Sequence, residues 1–585
     1  MHLLAMLYFI LVWLGLLVTC SILGRGLLAV LSSYDFDDTG DRFIASNWIG
    51  VVVLCVVLLA TSSILPLSSW VGFFVCAALI AAALSMPRVR VDLANAIASV
   101  NFRSIAIFAV LTVAVAALAS QQIWWFDTGL YHLGSIQWLS EFGAVPGVAL
   151  VNPKFGFVSS WFAFAAPLTP EFLGDRVGAI SNGFIFLLAA VQATIALGKI
   201  VAGRARVPDW FLLIFFAIAI SIYLVSVPAS PILISFSADV AVTSLVGMTG
   251  WAILVTSSTQ KLPTSPEPDT GSRATVLDAR LVPLILACGA VTIKLTALPL
   301  LPVTVGFYVL SGKMKLRRIG WAIALTVVLL APMFLYGILA SGCPLFPSEL
   351  FCLDVPWRAS EQRTEVTANE VRFWWQYAQD NQSILPDFLI VFWAWLMESK
   401  KSQLMVVLLA ISFPMSWRIL KTSKFVQLSG KIAAIALGFL GMAFILTQSP
   451  LIRFGLGYFL TIPALWSANW ARRNLNPLKV RLENRVPLFE VLFGKAIVVF
   501  AILFALCAIA LAKPGNIPNR LLLPARLPNV ELENEPANGI EFLHPIDSIQ
   551  CWRAELPCTH FSIDPDITLR KPESGLGGGF IIKDE

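Results

Sequence analysis

Between Gln121 and Gly143 the chain reads QQIWWFDTGLYHLGSIQWLSEFG. A carboxylate, a phenol and an imidazole (Asp127, Tyr131 and His132) fall within six residues, directly after a long apolar run. A carboxylate held at the mouth of a membrane bundle can take a proton from a substrate hydroxyl, because water and lipid headgroups are both within its reach. On an ordinary helix Asp127 and Tyr131 are i,i+4 and share a face, with His132 about 140° further round. Asp127 also reads as the N-cap of a short interfacial helix, with Trp124 and Trp125 as headgroup anchors. Capping and proton transfer are compatible roles. His132 taken alone reads more readily as a structural or headgroup-facing histidine.

Three further charges lie within or at the ends of apolar runs, where an unpaired ion costs a few kcal/mol on insertion scales. Asp239 opens a run in SFSADVAV, Lys294 interrupts one in AVTIKLTALPL, and Arg453 opens another in SPLIRFGLGYF. Each has a plain alternative: a cap for Asp239, snorkelling for Lys294, a helix-end anchor for Arg453. Lys294 has apolar turns on both sides and no basic neighbour. One acid and two cations on one rim suggest a site for an anionic, lipid-linked substrate. Lys294 and Arg453 would hold its phosphate and Asp127 would act as general base. Lys154, in VNPKFGFVSSWF, is a further candidate for binding substrate, as are Tyr131, His132 and Asp239. Asp175 and Arg176, in EFLGDR, read as solvated charges of an outer loop. Trp374 and Trp375 can stack on sugars or anchor at an interface.

The elements that must position these residues are membrane helices. The chain has 585 residues, 58% hydrophobic and 13% charged, with a mean hydropathy of +0.80. Soluble domains carry about 25% charge. The apolar runs are continuous and do not alternate, which excludes a β-barrel and predicts an all-α polytopic bundle of about fourteen spans. Among the expected spans are Trp70–Met86, Leu281–Thr296, Leu298–Leu310 and Val491–Ala512. The ten residues Phe388–Met397 are too short to cross and read as an interfacial or re-entrant helix, with Trp393 and Trp395 at headgroup depth. The first apolar run lacks a basic start and a cleavage site, so it reads as an uncleaved span.

Basic residues orient the bundle. Arg88, Arg90 and Arg103; Arg204 and Arg206; Lys313, Lys315, Arg317 and Arg318; Arg418, Lys421 and Lys424; and Arg472, Arg473, Lys479, Arg481 and Arg485 mark five loops. All five fall on one side, the cytoplasmic one by the positive-inside rule. The acidic stretch SSYDFDDTGDRF is expected on that side too, against the trend. Both termini then face the periplasm of a bacterial inner membrane. Three large segments join them there: 121–179, 342–402 and a tail from residue 513. The net charge of +6 sits in these loops and implies topology, not nucleic-acid binding.

Of nine cysteines, Cys20, Cys55, Cys76, Cys288 and Cys507 lie in apolar runs. Cys343/Cys352 and Cys551/Cys558 are close pairs in segments expected outside, which suggests disulfides in an oxidising compartment. Free thiols and zinc are the alternatives, and neither pair has zinc-knuckle spacing. The expected organisation is a three-span region (1–104), a membrane core (105–341) holding the first outer loop, an outer loop with its interfacial helix (342–402), further spans (403–512) and a small outer tail (513–585). Pro263–Ser272 reads as a flexible cytoplasmic linker.

A multi-span bundle with a long external loop after one helix, opening on an aromatic–acidic motif and an early YH, resembles the GT-C superfamily of integral-membrane glycosyltransferases. FDTGLYH resembles the acidic motif of the superfamily's first loop, and TIKLTALP resembles a lysine-bearing helix found in several of its branches. DTGLYHL, SSWF, GCPLFPS, RFG and CWRAELPCT together also resemble a bacterial family of multi-spanning membrane proteins. The superfamily resemblance implies a polyprenyl-phosphate sugar as donor and Asp127 as catalytic carboxylate. Many GT-C loops carry a paired acid, whereas Thr128 follows Asp127 here and the next acid is Glu141. That leaves a divalent metal unassigned, and no other cofactor is expected. The expected function is transfer of a sugar to a glycan, lipid or protein acceptor at the periplasmic face, with inversion. A lipid or glycan transporter, a flippase, and a glycan polymerase or ligase are the alternatives, as is a scaffold for a partner protein.

Overall fold

The computed structural model describes residues 4–31, 36, 38–176, 178–225, 230–258, 276–312, 314–372, 387–423, 428–483 and 525–583. The expected span Val491–Ala512, Cys507, Trp374, Trp375 and the linker Pro263–Ser272 lie outside the described residues.

In lipid a spanning segment must satisfy its own backbone, and runs of Leu, Ile, Val and Ala do so as helix. Among the described residues nine helices are long and apolar enough to cross a membrane: Tyr8–Val30, Thr39–Ser62, Phe102–Ala119, Ile180–Val201, Val207–Val225, Asp239–Ser258, Lys315–Ser341, Lys400–Lys421 and Leu428–Gln448. The Asp239–Ser258 helix is the central post, with its whole apolar window buried. The polypeptide is thus a multi-pass helical membrane protein.

Several sequence expectations change at the helix ends. The expected span Trp70–Met86 is a 16-residue helix, Ser69–Leu84, followed by a 99° bend into Pro87–Ala98. Met86, before Pro87, is extended as a pre-proline residue must be. The two spans expected over 281–310 are short apolar helices, Ala279–Ile293 and Leu295–Leu310. They break at Lys294, whose backbone is extended. The acidic stretch before Trp48 is not all loop: Asp38 caps the Thr39–Ser62 helix through its carboxylate.

The two ends of the bundle differ in chemistry. At one end lie the basic loops and the acidic stretch, and the acidic stretch is there for a reason. Asp41 is buried and pairs with Lys199 and Arg206, and Lys199 also meets Asp38 and Asp209. Asp92 binds Arg25 and Arg42. Asp278 binds Arg318, and Arg473 donates to the Thr422 carbonyl. Acids that oppose the charge trend of that end are therefore its ion-pair partners.

At the opposite end lie residues 121–176, residues 342–372 and the described part of the tail, 525–583. Both expected cysteine pairs are joined, Cys343 to Cys352 and Cys551 to Cys558. Cys20, Cys55 and Cys288 are buried free thiols, and Cys76 is half-buried. The all-α expectation fails in the tail. Leu532–Ala537 pairs antiparallel with Ile540–Pro545, and Ile567–Leu569 with Phe580–Ile582. Asn538 and Gly539 turn the first hairpin with positive φ at both positions, as a two-residue hairpin of matching twist requires. One hydrophobic core runs from Phe9 through the bundle to Phe580, with Trp13, Trp48, Trp138, Trp161 and Trp251 fully buried in it. The interfacial segment is a helix, Asp387–Glu398. Trp393 on it is exposed, but Trp395 is buried and donates its indole N–H to the Pro450 carbonyl at 3.2 Å. That hydrogen bond holds the Trp395 ring inward against the protein.

Candidate functional site

A cavity of about 410 Å³ opens at the disulfide-bearing end. Asp127, Tyr131, His132, Lys154, Asp239, Lys294 and Arg453 all line it. They come from five separate stretches of chain, so the fold alone brings them together.

Asp127 leads into a wide turn. Residues Thr128–His132 wind as a π-helix, closed by the Leu133 N–H on the Thr128 carbonyl. Single π turns sit inside helices often at functional sites. The wider winding replaces the ordinary helical spacing expected from sequence, and Asp127, Tyr131 and His132 all reach the cavity. Asp127 makes no side-chain capping bond, so the N-cap alternative is not realised. Its carboxylate instead accepts from Arg453, Nη1 to Oδ2 at 3.0 Å. His132 Nδ1 lies 3.1 Å from Thr128 Oγ1. Burial pushes its imidazole down to about 4, against the pull of Asp127 and Asp239.

Lys294 sits at the break between the two short helices, with its ammonium on Asp239 and 3.8 Å from the centre of the Phe454 ring. The turn that presents it is buttressed from three sides. Ser159 donates to the Ile293 carbonyl at 2.8 Å. Ser160 and Thr292 hydroxyls meet at 2.8 Å. Tyr458 donates to the Thr296 carbonyl at 3.0 Å. Asp239 begins its helix as expected, yet its side chain serves Lys294. Arg453 begins the Ile452–Glu483 helix and lies over the rings of Trp125 and Phe454.

Lys154 follows a small cap: the Asn152 side chain accepts from the Lys154 N–H at 3.0 Å. Its ammonium meets Glu370 at 2.7 Å. Asp175 and Arg176 do not line the cavity. The lining therefore carries three acids and three cations in three ion pairs, formally neutral, with Phe126, Leu130, Phe157, Phe162, Phe346 and Phe454 between them. An anion that enters competes with Asp239 and Asp127 for the N–H donors of Lys294 and Arg453. Among the described residues no three His, Cys, Asp or Glu are grouped to hold a metal ion.

Sequence reasoning missed Glu370, Phe454 and the buttressing Ser159, Ser160 and Tyr458. Glu370 is one of three acids on the Glu361–Arg372 helix, and nothing local separates it from the others. SSWF and RFG contain Ser159, Ser160 and Phe454, but those motifs carried no role.

A family described as a domain of unknown function (DUF8201) matches residues 6–460, and the chain belongs to that family. The match takes in every residue named on the cavity wall and stops before the tail. No curated protein and no solved structure matches the chain.

Proposed function

We propose that this DUF8201 chain is a GT-C-like membrane glycosyltransferase. It moves a sugar from a polyprenyl-phosphate donor to a glycan, lipid or protein acceptor at the periplasmic face of a bacterial inner membrane. In this reading the bundle has about fourteen spans, with the cavity end outside. One observation carries the reading: Asp127, Lys294 and Arg453, from three distant parts of the sequence, line one cavity.

The chemistry follows from the charges. The donor phosphate draws Arg453 and Lys294 from their carboxylates and is held by both. Release of Arg453 frees Asp127, which takes the proton of an acceptor hydroxyl. The hydroxyl oxygen bonds to the anomeric carbon as the bond from that carbon to the phosphate oxygen breaks. The electron pair leaves with the phosphate, whose growing charge the two cations stabilise. Phosphate leaves readily, so one carboxylate suffices, unlike in glycoside hydrolysis. The aromatic lining offers faces for sugar and lipid. Transfer of labelled sugar by membranes holding the parent and Asp127→Asn tests this; equal rates refute it.

A second reading has its own support. Lys294 stands at a break between two short apolar helices, and broken helices mark the substrate sites of transporters. Translocation of a lipid-linked substrate in proteoliposomes, with no new glycosidic bond, favours a transporter or flippase.

A further inference from the structure

The tail reaches back to the turn that carries Asp127. The Trp552 N–H donates to the Gly129 carbonyl at 2.9 Å, and the Gln550 side chain donates to the Phe126 carbonyl at 2.9 Å. Gly129 is the second residue of the π turn, and its missing side chain is what admits the tail. A Cβ there would lie 2.6 Å from the Trp552 ring and 2.9 Å from the Gln550 amide nitrogen. Trp552 has φ of 48°, a left-handed conformation rarely adopted by so bulky a residue. Such conformations persist only where surrounding structure holds them, and they cluster at functional sites. The loop around it holds this one. Cys551 and Cys558 close the loop. The Leu543 and Thr559 N–H groups bond the Pro557 and Leu543 carbonyls, which ties the loop to the Ile540–Pro545 strand. A second contact, Phe580 N–H to the Pro146 carbonyl at 2.9 Å, docks the far end of the tail on the same outer segment.

We propose that Trp552 and Gln550 are positioning residues for the Asp127 turn, so that the disulfide-closed loop of the tail sets the cavity wall from Phe126 to His132. Their relevance to transfer rests on the reading of Asp127 given above; their hold on the turn does not. The family match ends at residue 460, so this assigns the site a component beyond the matched region.

Thiol labelling tests the hold without any activity. Leu130→Cys, at a buried position of the clasped turn, reports on that turn, and Val371→Cys reports on the same cavity from a helix the loop does not bond. Each is placed in the full-length protein in detergent, with Trp552→Ala or Gln550→Ala added, and treated with a charged thiol reagent. Trp552→Ala removes the ring packed on Gly129, and Gln550→Ala removes the side-chain donor to the Phe126 carbonyl; either loss raises local opening about tenfold, so the reagent reacts that much faster at position 130 and at its parental rate at 371. Equal rates at 130, or a rise at both positions, overturn the proposal. If Trp552→Ala does not fold, Gln550→Ala and Trp552→Phe carry the test. Gly129→Ala supplies a coupling check: it should harm the parent but add little to the Trp552→Ala, Gln550→Ala double variant, because both groups its Cβ would strike are then gone. Independent effects overturn the proposal. A parent that transfers no sugar yet shows the selective labelling refutes the transferase and leaves the clasp standing.

Discussion

The guanidinium of Arg453 donates to the carboxylate of Asp127 at 3.0 Å, across 326 residues of chain. Neither residue is fully buried, with side chains 26% and 23% exposed. The pair is therefore both joined and reachable, which suits a contact that a ligand exchanges better than one that only holds a fold. Asp127→Asn keeps size and shape and removes the base. Transfer should fall by about 10²- to 10⁴-fold with unchanged expression and melting temperature, read by labelled-sugar incorporation. Arg453→Lys should also be severely impaired, since a lysine lacks the planar fork.

Lys294 and Asp239 predict a separation of stability from activity. Asp239 is buried, and removing its partner leaves a lone charge. Lys294→Met should cost about 3–5 kcal/mol, measured by thermal unfolding in detergent. Lys294→Met combined with Asp239→Asn should regain much of that stability without regaining transfer. Recovery of transfer in the double variant would remove Lys294 from the phosphate site.

The cluster around Asp41 at the other end gives a contrasting case. Asp41→Asn breaks a buried network with Lys199 and Arg206, and should destabilise by about 3–5 kcal/mol. It touches nothing in the cavity. At a temperature where the variant is folded, its transfer rate per folded molecule should equal the parent's.

His132 predicts a pH dependence of stability. Burial pushes it down to about 4 from 6.5, with Asp127 and Asp239 pulling up and Lys294 and Arg453 pushing down. The unfolded chain binds a proton below 6.5 that the folded chain refuses until about 4. This contribution is therefore complete above 6.5 and lost as pH falls to about 4, by about 3 kcal/mol in all. Unfolding of the parent and His132→Gln across pH 4 to 7 should diverge in that window only. The pH–rate profile between 6.5 and 8 should keep its shape in the variant.

The Cys343–Cys352 bridge closes a loop whose Phe346 and Pro347 line the cavity. The Cys343→Ser, Cys352→Ser double variant should lose about 2–3 kcal/mol and bind donor more weakly. Melting temperature and donor KM check the two effects separately.

Much of this is readable in the sequence because burying charge in lipid is costly. Asp239, Lys294 and Arg453 stand out against apolar runs, but which of them pair with one another or with Asp127 does not follow from the runs. The cysteine pairs were readable from their segments. Lys154 was visible, but Glu370 was not, because a polar outer helix offers several equivalent acids. The π turn leaves no local mark: Thr128–His132 could wind as ordinary helix, and the Trp552 loop more than 400 residues away bonds into it. The hairpin at Asn538–Gly539 had a clear signal, since Asn-Gly favours that turn, but the tail was read only for its cysteines. The break at Lys294 followed from neither periodicity nor composition.

The most direct test is a structure of the full-length protein with a polyprenyl-phosphate analogue. The phosphate should lie within hydrogen-bond reach of both Lys294 Nζ and the Arg453 guanidinium, with Asp127 released and facing the acceptor space. An analogue bound elsewhere, with the Asp127–Arg453 and Asp239–Lys294 pairs intact, would contradict the assignment of this cavity.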